Sequence, residues 1–500
     1  MIKVSRIDSA DNVAVTYTEL KAGDQVEIAG LEPFAVIDAI PVGHKLALEE
    51  IPAGAQVTKY AASIGLASQY IAKGAHVHTH NVKTGLSDAQ HYSYQPVAAA
   101  AETFVWEDEV PLQVYRRDNG KVGIRNEIWV IPTVGCVNGV ADNLIKEFMA
   151  GGDRRGVDGV YSFPHPYGCS QLGGDHERTK KTLQNIALHP NAGGVLILGL
   201  GCENNQIDQF KASMPESIDP ERIKFLVAQD VADEIDAGVE LLEQLYQVAA
   251  QDRREPGSWK DIVIGLECGG SDAFSGITAN PLIGRVSDYV ISRGGTSVLT
   301  EVPEMFGAEH ILMAQCANAE VFEKTVAMIN DFKQYYLAHD QPIYENPSPG
   351  NKAGGITTLE DKSLGCTRKA GKSPVMDVIA IDQRVKSKGL NLLHAPGNDI
   401  VATTSLGGAG CQLVLFSTGR GTPLGGFIPT LKVATNTALA EKKANWIDFN
   451  AGALADLENN PDQVLADFLR RIAEIINGEP TSAERRNNRE IAIFKTGVTL

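Results

Sequence analysis

The stretch DIVIGLECGGSDAFSGITANP (residues 261–281) constrains the fold of this chain more than any other part of its sequence. It opens on a short apolar run rich in β-branched side chains, which is typical of a strand buried on both faces of a parallel sheet. The two glycines that follow let the backbone turn tightly and approach a ligand. Ligands of open α/β sheets bind just beyond the carboxyl ends of the strands. The sequence therefore predicts a functional site at Glu267, Cys268 and Asp272.

Cysteine beside glycine recurs in the predicted turns of the chain. A second apolar run, GVLILGL (residues 194–200), leads into a Gly-Cys-Glu turn, so two strand ends present a thiol and a carboxylate side by side. The cysteines next to glycine in such turns are Cys136, Cys169, Cys202, Cys268 and Cys366. Thiolates combined with histidines and carboxylates favour iron, zinc or a related transition metal over magnesium. Each cysteine is also compatible with a small buried packing residue, and on that interpretation only a few of them matter.

Size and charge limit the classes of function. The 500 residues are too many for one ordinary core, so about two to four domains are expected. The formal net charge of -17 argues against a nucleic-acid or membrane-surface partner, because phosphate binding needs a basic surface. A small anionic substrate is still compatible, since a local lysine or arginine holds a carboxylate whatever the net charge. No apolar run reaches membrane-spanning length and no signal-peptide core is present, so the chain is expected in the cytoplasm.

Cysteine usage and the absence of nucleotide motifs narrow the chemistry further. The seven cysteines include no CxxC pair, which fits metal-binding, catalytic or buried thiols better than a disulfide framework. No Walker sequence or complete dinucleotide-binding turn follows any predicted strand. Neither ATP nor NAD is therefore expected as a ligand.

Turn spacing and composition divide the chain into three domains and a linker. Residues 1–95 alternate short apolar runs with glycine-containing turns, the pattern of a small all-β module. Residues 96–111 lose this periodicity and are expected to form a linker. Residues 112–255 and 256–500 both alternate apolar strands with helical patterns, which predicts an α/β second domain and a C-terminal parallel sheet covered by helices. The predicted fold class is therefore a multidomain α/β protein.

The first domain carries a run of histidines, GAHVHTHN (residues 74–81), and a further histidine, His44, in PVGHK. In a strand, His76, His78 and His80 would point to the same face, since side chains alternate along a strand. Histidines grouped on one face can bind a metal ion or exchange protons. The alternative is a solvated strand edge whose outer face is polar.

Two glycine-rich segments of the C-terminal domain carry candidate ligand-binding cations. Residues 343–371 form a long polar segment with glycine and proline, and its length predicts a functional loop that contains Lys352. Residues 417–426 form a second such turn, which contains Arg420. Either cation is suited to hold a substrate carboxylate beside donating backbone N–H groups. Either is equally compatible with an ordinary surface charge.

Two further elements of the C-terminal domain are predicted with definite ends. Residues 319–337 have a strong helical pattern, and Asn318 immediately before them is a suitable N-cap. Residues 490–500 (EIAIFKTGVTL) have the pattern of a docked strand. The chain is therefore expected to end on an ordered segment.

Several long and specific strings are spread from one end of the chain to the other. They are VGHK (residues 42–45), HVHTHN (76–81), IPTVGCVN (131–138), YGCSQLG (167–173), GLGCENNQ (199–206), LECGGSD (266–272), TEVPEMFGAE (300–309), ENPSPGNKAGGITTLEDKSLGCT (345–367) and FSTGRGTP (416–423). Through them the chain resembles, essentially end to end, the family of altronate and galactarate dehydratases, which also contains sulfolactate sulfo-lyase.

The resemblance implies an N-terminal β-clip domain of the SAF type, a linker, a second domain involved in dimer contacts, and a C-terminal variant Rossmann-like domain with a metal site. It also implies an iron-dependent, oxygen-sensitive hydro-lyase in which manganese can substitute. The expected reaction converts D-altronate to 2-dehydro-3-deoxy-D-gluconate and water in hexuronate catabolism, with galactarate or another sugar acid as the alternative substrate. A non-catalytic sugar-acid-binding protein is the alternative class of function. The expected assembly is a homodimer.

Removing the C2 proton of a sugar acid and expelling its C3 hydroxyl needs a base, an acid and positive charge near the carboxylate. The residues predicted to be catalytic are Glu267, His78, His80 and Lys352. The residues predicted to bind the substrate are Arg420, His44 and Asn81. The residues predicted to bind a divalent metal, Fe2+ with Mn2+ as the alternative, are Cys268, Asp272, Cys202 and Cys366.

Overall fold

The computed structural model describes residues 4–86, 92–97, 110–214, 218–456 and 458–500. These residues form an N-terminal region of short strands, a middle α/β region, and a C-terminal α/β region built on a seven-stranded sheet. The predicted fold class is confirmed. The predicted linker lies mostly outside the described residues.

The N-terminal region consists of short strands joined by turns. They are β1 (Val4–Ser5), β2 (Val13–Thr16), β3 (Gln25–Val26), β4 (Phe34–Ala35), β5 (Lys45–Ala47), β6 (Gln56–Lys59), β7 (Ala62–Ala67), β8 (His76–Val77) and β9 (Val82–Lys83). They pair antiparallel in the sheets β1-β2-β5-β8, β3-β4 and β6-β7-β9. Two small apolar clusters, one around Val13 and one around Leu46, fill the space between these sheets. The predicted all-β module is therefore present.

The middle region is built on a parallel sheet. Its strands are β10 (Leu112–Arg116), β11 (Val122–Gly123), β12 (Glu127–Pro132), β13 (Gly159–Ser162), β14 (Ala192–Gly199), β15 (Ile223–Val227) and β16 (Glu255–Gly257). Its helices are α1 (Asn138–Ala150), α2 (Gly173–Ala187), α3 (Ile207–Ala212) and α4 (Glu234–Ala249). The parallel order is β13-β12-β14-β15. Strand β10 pairs with β11 and β16 and packs Leu112 into the C-terminal core, so the predicted boundary at residue 255 falls inside a strand.

The C-terminal region is an open parallel sheet with helices on both faces. Its strands are β17 (Val263–Cys268), β18 (Thr296–Leu299), β19 (Val375–Ala380), β20 (Gly389–His394), β21 (Leu413–Thr418), β22 (Thr430–Ala434) and β23 (Phe449–Asn450). Its helices are α5 (Ala279–Ser292), α6 (Glu309–Ala314), α7 (Ala319–Ala338), α8 (Pro349–Ala353), α9 (Leu359–Cys366), α10 (Asp399–Ala409), α11 (Thr437–Lys442) and α12 (Pro461–Ile476). The strand order is β19-β20-β18-β17-β21-β22-β23.

Strand β17 lies at the middle of this sheet, as its apolar sequence predicts. It pairs in parallel with β18 on one side and with β21 on the other. Ile264 and Leu266 pack on the face covered by α5, α7 and α12. Leu406 of α10 and the apolar side chains of the middle region cover the opposite face. The turn that follows β17 is thereby held at the carboxyl edge of a rigid, fully covered sheet.

The segment predicted to be a loop, residues 343–371, instead contains two helices, α8 and α9. The Ser348 side chain caps α8, and the Thr358 side chain caps α9 by accepting a hydrogen bond from the Asp361 N–H. Every residue of α9 is buried although the helix carries charged side chains. Those side chains are buried by pairing with charged groups of other elements, so the helix shows no apolar stripe in the sequence.

The structure confirms the helix predicted after Asn318 but not the strand predicted at residues 490–500. The helix after Asn318 is confirmed as α7, and the Asn318 side chain accepts a hydrogen bond from the Val321 N–H at 3.0 Å. Residues 490–500 form no extended ladder, so the predicted strand is wrong. This segment is held instead by Asp175, which accepts hydrogen bonds from the N–H groups of Thr496 and Gly497. Among the described residues, no helix is long and apolar enough to cross a membrane.

Candidate active site

Two thiols and one carboxylate lie together at the carboxyl edge of the seven-stranded sheet. Cys268, Glu304 and Cys366 are buried, and their ligand atoms all lie within 4.8 Å of one another. The sulfurs of Cys268 and Cys366 are 3.5 Å apart. Glu304 Oε2 lies 3.4 Å from the first sulfur and 3.1 Å from the second. These three residues are called the Cys268 centre below.

Three separate elements bring the Cys268 centre together. Cys268 ends β17, Glu304 lies in the 3-10 turn Val302–Met305, and Cys366 ends α9. Because β17 and β18 are parallel neighbours, their carboxyl ends meet at the same edge of the sheet. The sequence predicts both cysteines but misses Glu304. The available signal was the acidic pair Glu301 and Glu304, which follows the apolar run of β18 directly.

Two buried lysines neutralise this edge of the sheet. Lys369 Nζ lies 2.8 Å from Cys268 Sγ and 2.7 Å from Glu301 Oε2. Lys362 Nζ lies 2.6 Å from Glu304 Oε1. Buried charges are stable only when they are paired and hydrogen-bonded. The lysines therefore favour the ionised forms of the thiol and carboxylate that they contact.

The pKa values of the centre follow from these contacts. The hydrogen bond with Cys366 and the charge of Lys369 lower the pKa of Cys268 to about 7. Burial opposes ionisation of Glu304, but the two lysines outweigh it and lower the pKa of this carboxyl. Burial, reinforced by the nearby Cys268, raises the pKa of Glu301 well above its ordinary value. A thiolate and a carboxylate therefore lie side by side, in the forms that bind metal ions.

Glu267 lies on the other face of β17, because consecutive side chains of a strand point in opposite directions. Its Oε2 accepts a hydrogen bond of 2.7 Å from Thr403 of α10, and its Oε1 has no hydrogen-bond partner among the described residues. Burial and the neighbouring Asp399 raise the pKa of Glu267 well above its ordinary value. Burial also raises the pKa of Asp399, to about 6. Glu267 is thus a buried carboxyl that resists ionisation, on the face of β17 opposite Cys268, and its catalytic role stays a prediction.

Asp272 and Cys202 do not join the Cys268 centre. Asp272 closes the turn after β17 and is tied to the end of β22, where Thr435 Oγ1 donates to its Oδ1 at 2.8 Å. Cys202 follows β14 in the other parallel sheet, and its exposed Sγ accepts a hydrogen bond of 3.7 Å from Gln229. The carboxylate of Asp272 is therefore engaged in structural hydrogen bonds, and Cys202 lies at the carboxyl edge of the middle sheet.

The Cys268 centre has the donor set of a transition-metal site. Two sulfurs and a carboxylate oxygen select a softer divalent ion such as iron or zinc over magnesium. Buried polar atoms normally have a hydrogen-bond partner. Glu301 accepts a hydrogen bond from the Cys268 N–H through its Oε2, yet its buried Oε1 has none among the described residues. Cys268, Glu304 and Cys366 can therefore hold a divalent metal ion.

Four histidines of the N-terminal region form a second group, called the histidine group below. His44 Nδ1 and His76 Nε2 are 3.0 Å apart, and the ring centroids of His44 and His78 are 4.6 Å apart. The strand predicted to carry three of them is shorter than expected, since β8 ends at Val77. The rings still lie together, because the turn after β8 folds back. The ring centroid of His76 is 5.7 Å from that of His78 and 5.2 Å from that of His80.

Asn81 shapes the turn that carries these histidines. Its Oδ1 accepts a hydrogen bond from the His78 N–H, and its Nδ2 donates to the His76 carbonyl, both at 2.9 Å. Burial and neighbouring positive groups lower the pKa of His76 to about 4 and that of His78 to about 3. Burial also lowers the pKa of His44. These three imidazoles are therefore neutral at pH 7.

A buried charge triad attaches the histidine group to the C-terminal region. Lys45 Nζ lies 2.8 Å from Asp361 Oδ2, and Lys59 Nζ lies 3.1 Å from Asp361 Oδ1. Burial lowers the pKa of Lys45 to about 8. Burial also opposes ionisation of Asp361, but the two lysines outweigh it and hold its pKa below the ordinary range. Asp361 lies in α9, the helix that ends at Cys366, so one helix serves both groups.

The histidine group and the Cys268 centre border the same turn. Gly43, next to the first histidine, packs so closely against Ala273 that an added Cβ would lie 3.5 Å from the alanine methyl. Thr357 Oγ1 lies 3.4 Å from His78 Nδ1. The histidine group therefore lies against the turn after β17 and the segment before α9.

Lys352 and Arg420 are exposed at the rim of this turn. The Arg420 N–H donates to the Gly270 carbonyl at 2.9 Å, which fixes its loop against the turn after β17. Lys352 follows Asn351 in α8, and the Asn351 side chain donates to the Ser271 carbonyl at 2.8 Å. Both cations are thus adjacent to the site, and their contact with a substrate stays a prediction.

An α/β protein with paired thiols, a carboxylate and neutral imidazoles at the carboxyl edge of its sheet has the groups of an enzyme that transfers protons with metal assistance. Three domain families match the chain in order. They are Altronate/galactarate dehydratase SAF domain (residues 2–85), D-galactarate dehydratase/Altronate hydrolase, second domain (114–250), and D-galactarate/Altronate dehydratase, C-terminal (259–499). The chain belongs to the family of D-galactarate and altronate dehydratases.

Curated relatives extend over the whole chain. Altronate dehydratase of Escherichia coli (strain K12) is 56% identical over 496 residues, which cover 99% of each chain. Altronate dehydratase of Bacillus subtilis (strain 168) is 53% identical over 496 residues, again covering 99% of each. Galactarate dehydratase (L-threo-forming) of Escherichia coli (strain K12) is 33% identical over 502 residues, covering 95% of this chain and 92% of the relative. The resemblance stated from the sequence is confirmed.

Proposed function

We propose that this protein is a hydro-lyase that dehydrates D-altronate to 2-dehydro-3-deoxy-D-gluconate in the breakdown of hexuronates. The observation that carries the proposal is the identity of 56% and 53% to two altronate dehydratases over 99% of each chain. The galactarate dehydratase is more distant at 33%, so altronate is the preferred substrate and galactarate the alternative. The intact thiols and histidines favour catalysis over a purely sugar-acid-binding role.

The reaction removes the C2 proton beside the carboxylate and expels the C3 hydroxyl as water. Negative charge develops on the carboxylate during proton transfer, so positive charge must lie next to it. Cys268, Glu304 and Cys366 would hold a divalent ion, for which we propose Fe2+ with Mn2+ as a substitute. When bound, such an ion supplies Lewis-acid stabilisation to substrate oxygens.

The histidine group supplies the base in this proposal, and His78 is the residue that we assign to the C2 proton. A neutral imidazole can accept the proton, and the Thr357 hydroxyl at 3.4 Å from His78 Nδ1 orients the ring. The short contact between His44 and His76 lets the group share the positive charge that it gains. Glu267 is the second candidate for the base.

Proton donation and carboxylate binding fall to the exposed groups at the rim. His80 and Lys352 are the proposed donors to the leaving hydroxyl, since both reach solvent and exchange protons with it. Arg420 is the proposed partner of the substrate carboxylate, because guanidinium groups bind carboxylates through two parallel hydrogen bonds. His44 and Asn81 border the remaining part of the substrate in this arrangement, the latter through the turn that it shapes.

A substrate panel tests the proposed function. Anaerobically purified, iron-loaded protein is incubated with altronate, galactarate and other hexonates and hexarates, and the 2-keto-3-deoxy acid formed is quantified. Altronate should have the highest kcat/KM. A higher kcat/KM for galactarate would assign the protein to the alternative substrate, and no turnover of any sugar acid would leave only a binding role.

Metal removal should abolish turnover. Chelation takes away the ion proposed at the Cys268 centre, so activity should disappear and return when ferrous iron is added under reducing conditions. Manganese should restore part of it. The measurement is kcat before chelation, after it, and after each addition, with the iron content determined in parallel. Full activity of rigorously metal-free protein would contradict the proposal.

Replacing Cys268 with serine should weaken metal binding before it affects the fold. A hydroxyl is a poorer ligand than a thiolate for a soft divalent ion, so the affinity for ferrous iron should fall by at least about 10-fold. Cys316→Ser is the matched control, because Cys316 is also buried but its thiol hydrogen-bonds Thr325 and the Leu312 carbonyl, away from the Cys268 centre. Unchanged iron affinity in Cys268→Ser would move the metal away from this centre.

A homodimer and a cytoplasmic location also belong to the proposal, as expectations of the family resemblance. The dimer is tested by light scattering coupled to size-exclusion chromatography of the full-length protein. A monomer at the concentration of the activity assay would contradict it.

A further inference from the structure

Three cysteines that the proposed reaction does not use lie at the carboxyl edge of the middle sheet. Cys136 follows β12, Cys169 follows β13 and Cys202 follows β14. These three strands are adjacent and parallel, so their carboxyl ends open on the same edge. All three thiols are free and exposed. The edge therefore presents three metal-ligating side chains from three different turns.

Direct hydrogen bonds hold these three cysteine turns against one another. The N–H of Gly135, next to Cys136, donates to the Tyr167 carbonyl at 2.9 Å. The Asn205 N–H of the third turn donates to the Gly168 carbonyl at 3.0 Å. Asn204 Oδ1 accepts a hydrogen bond from the Ser170 N–H at 2.9 Å. Each cysteine is thus within a few residues of a contact with another cysteine turn.

The glycine that precedes each cysteine is what permits this close approach. An added Cβ would lie 2.8 Å from the His165 carbonyl oxygen at Gly135 and 2.0 Å from the Thr133 carbonyl oxygen at Gly168. At Gly201 it would lie 2.7 Å from the Gln229 side chain. Gly168 and Gly201 also have positive φ values of 101° and 128°, which side-chain-bearing residues rarely adopt. Gly135 and Gly168 therefore let the first two cysteine turns pack against each other, while the positive φ of Gly201 shapes the third turn.

Polar side chains around the cysteine turns have atoms without partners. Among the described residues, the buried atoms Asn138 Oδ1, Gln171 Nε2, His176 Nε2 and Asn205 Oδ1 have no hydrogen-bond partner. Asn205 is only 1% exposed, and its other amide atom is held by the Thr133 carbonyl at 3.1 Å. An unpaired polar atom at such burial is destabilising unless a ligand satisfies it. Polar atoms close to the cysteines are thus available to hydrogen-bond or coordinate a bound group.

We propose that Cys136, Cys169 and Cys202 bind an iron–sulfur cluster of the four-iron type. Iron–sulfur clusters are held by cysteine thiolates that ligate different irons, so the ligand sulfurs stand further apart than those around a single ion. The three sulfurs do not form a group with all ligand atoms within 4.8 Å, in contrast to the Cys268 centre. A mononuclear zinc site, with its sulfurs packed around one ion, therefore fits these turns less well.

Three thiolates leave one iron of the cluster without a cysteine ligand. The unpaired nitrogen and oxygen atoms of the same turns, or solvent, can complete its coordination. Each cysteine thiol gives up its proton when it binds, and two ferrous ions, two ferric ions and four sulfide ions make up the cluster without further electron transfer. Exposure of the three thiols leaves the cluster open to oxygen, which makes cluster loss in air an expected property.

Anaerobic reconstitution of the full-length protein tests this site without any need for turnover. The protein is incubated with equal amounts of ferrous and ferric iron and with sulfide, then desalted, and its iron and acid-labile sulfide are quantified. About four sulfides per chain are expected, together with the broad visible absorbance of an iron–sulfur cluster. Cys136→Ser, Cys169→Ser and Cys202→Ser should each lose most of the sulfide. These residues are exposed, so thermal unfolding of the variants should match the wild type.

Two matched variants separate this site from the Cys268 centre. Cys316→Ser replaces a buried cysteine outside both sites and should keep the wild-type sulfide content. Cys268→Ser should lose affinity for ferrous iron yet keep the sulfide. Iron bound without sulfide, wild-type sulfide in all three turn variants, or sulfide lost only in Cys268→Ser would each overturn the proposal.

Discussion

Replacing His78 with glutamine should lower kcat for altronate by about 100-fold to 10,000-fold, the range for loss of a general base. The amide keeps roughly the size of the imidazole and a hydrogen bond to the Thr357 hydroxyl, so the N-terminal region should stay folded. The primary kinetic isotope effect with C2-deuterated altronate should rise, because proton removal becomes the slower step. Both quantities are measured on anaerobic, iron-loaded protein.

The same substitution at an unrelated histidine provides the control. His339 lies at the end of α7, is exposed, and hydrogen-bonds the Tyr335 carbonyl through its ring, so His339→Gln should keep the wild-type kcat. Iron content should be the same in both variants, which separates a lost base from a lost metal. If His78→Gln retains wild-type kcat and isotope effect, the base lies elsewhere, and Glu267 becomes the first residue to replace.

The sheet that positions the site is the part of the fold that the sequence predicts best. The apolar run of β17, bounded by glycines, has the length and β-branched composition of a central strand, and neighbouring strands cover it on both sides. Helix α9 is the opposite case. Its burial depends on Asp361, Glu360 and Lys362 meeting charged or polar partners from distant parts of the chain. A sequence pattern contains no information on such partners, so a buried polar helix has the composition of a loop.

The candidate site was predictable where a cysteine stands beside a glycine in the sequence. Cys268 and Cys366 follow that pattern, and the structure brings their sulfurs to 3.5 Å from each other. Asp272 was not predictable in this way, because an aspartate after a strand serves equally well as a metal ligand or as a turn residue. The contacts that decide its use come from Thr435 and Asn436, far away in the chain. Glu304 was missed because its turn becomes part of the site only when β18 pairs with β17.

Asp361 joins the N-terminal region to helix α9 through two buried ion pairs. It is shared by Lys45 and Lys59, and all three side chains are almost fully buried. Its Oδ2 also accepts a hydrogen bond at 3.0 Å from the N–H of Thr357, the residue that orients His78. One carboxylate therefore neutralises two lysines of the N-terminal region and fixes the segment that faces the histidine group.

Replacing Asp361 with asparagine should destabilise the protein by about 3–5 kcal/mol, the usual effect of removing one partner from a buried ion pair. The amide keeps the shape of the carboxylate but leaves Lys45 and Lys59 as uncompensated buried charges. Asp467→Asn is the control, because Asp467 pairs with Arg470 on an exposed helix surface, where such a pair contributes less than about 1 kcal/mol. Urea unfolding followed by circular dichroism measures both.

The pH dependence of this difference identifies charge as its cause. The pKa of Asp361 is held below its ordinary range in the folded protein. A carboxyl whose pKa is lowered by folding adds stability above its unfolded pKa of about 4 and loses it as the pH falls through the folded value. The gap between wild type and Asp361→Asn should therefore be largest near neutral pH and shrink in acid below about pH 4. Adding Lys59→Met to Asp361→Asn removes one unpaired charge and should recover part of the lost stability. A gap that is the same at every pH, with no recovery in the double variant, would mean that shape and not charge makes Asp361 necessary.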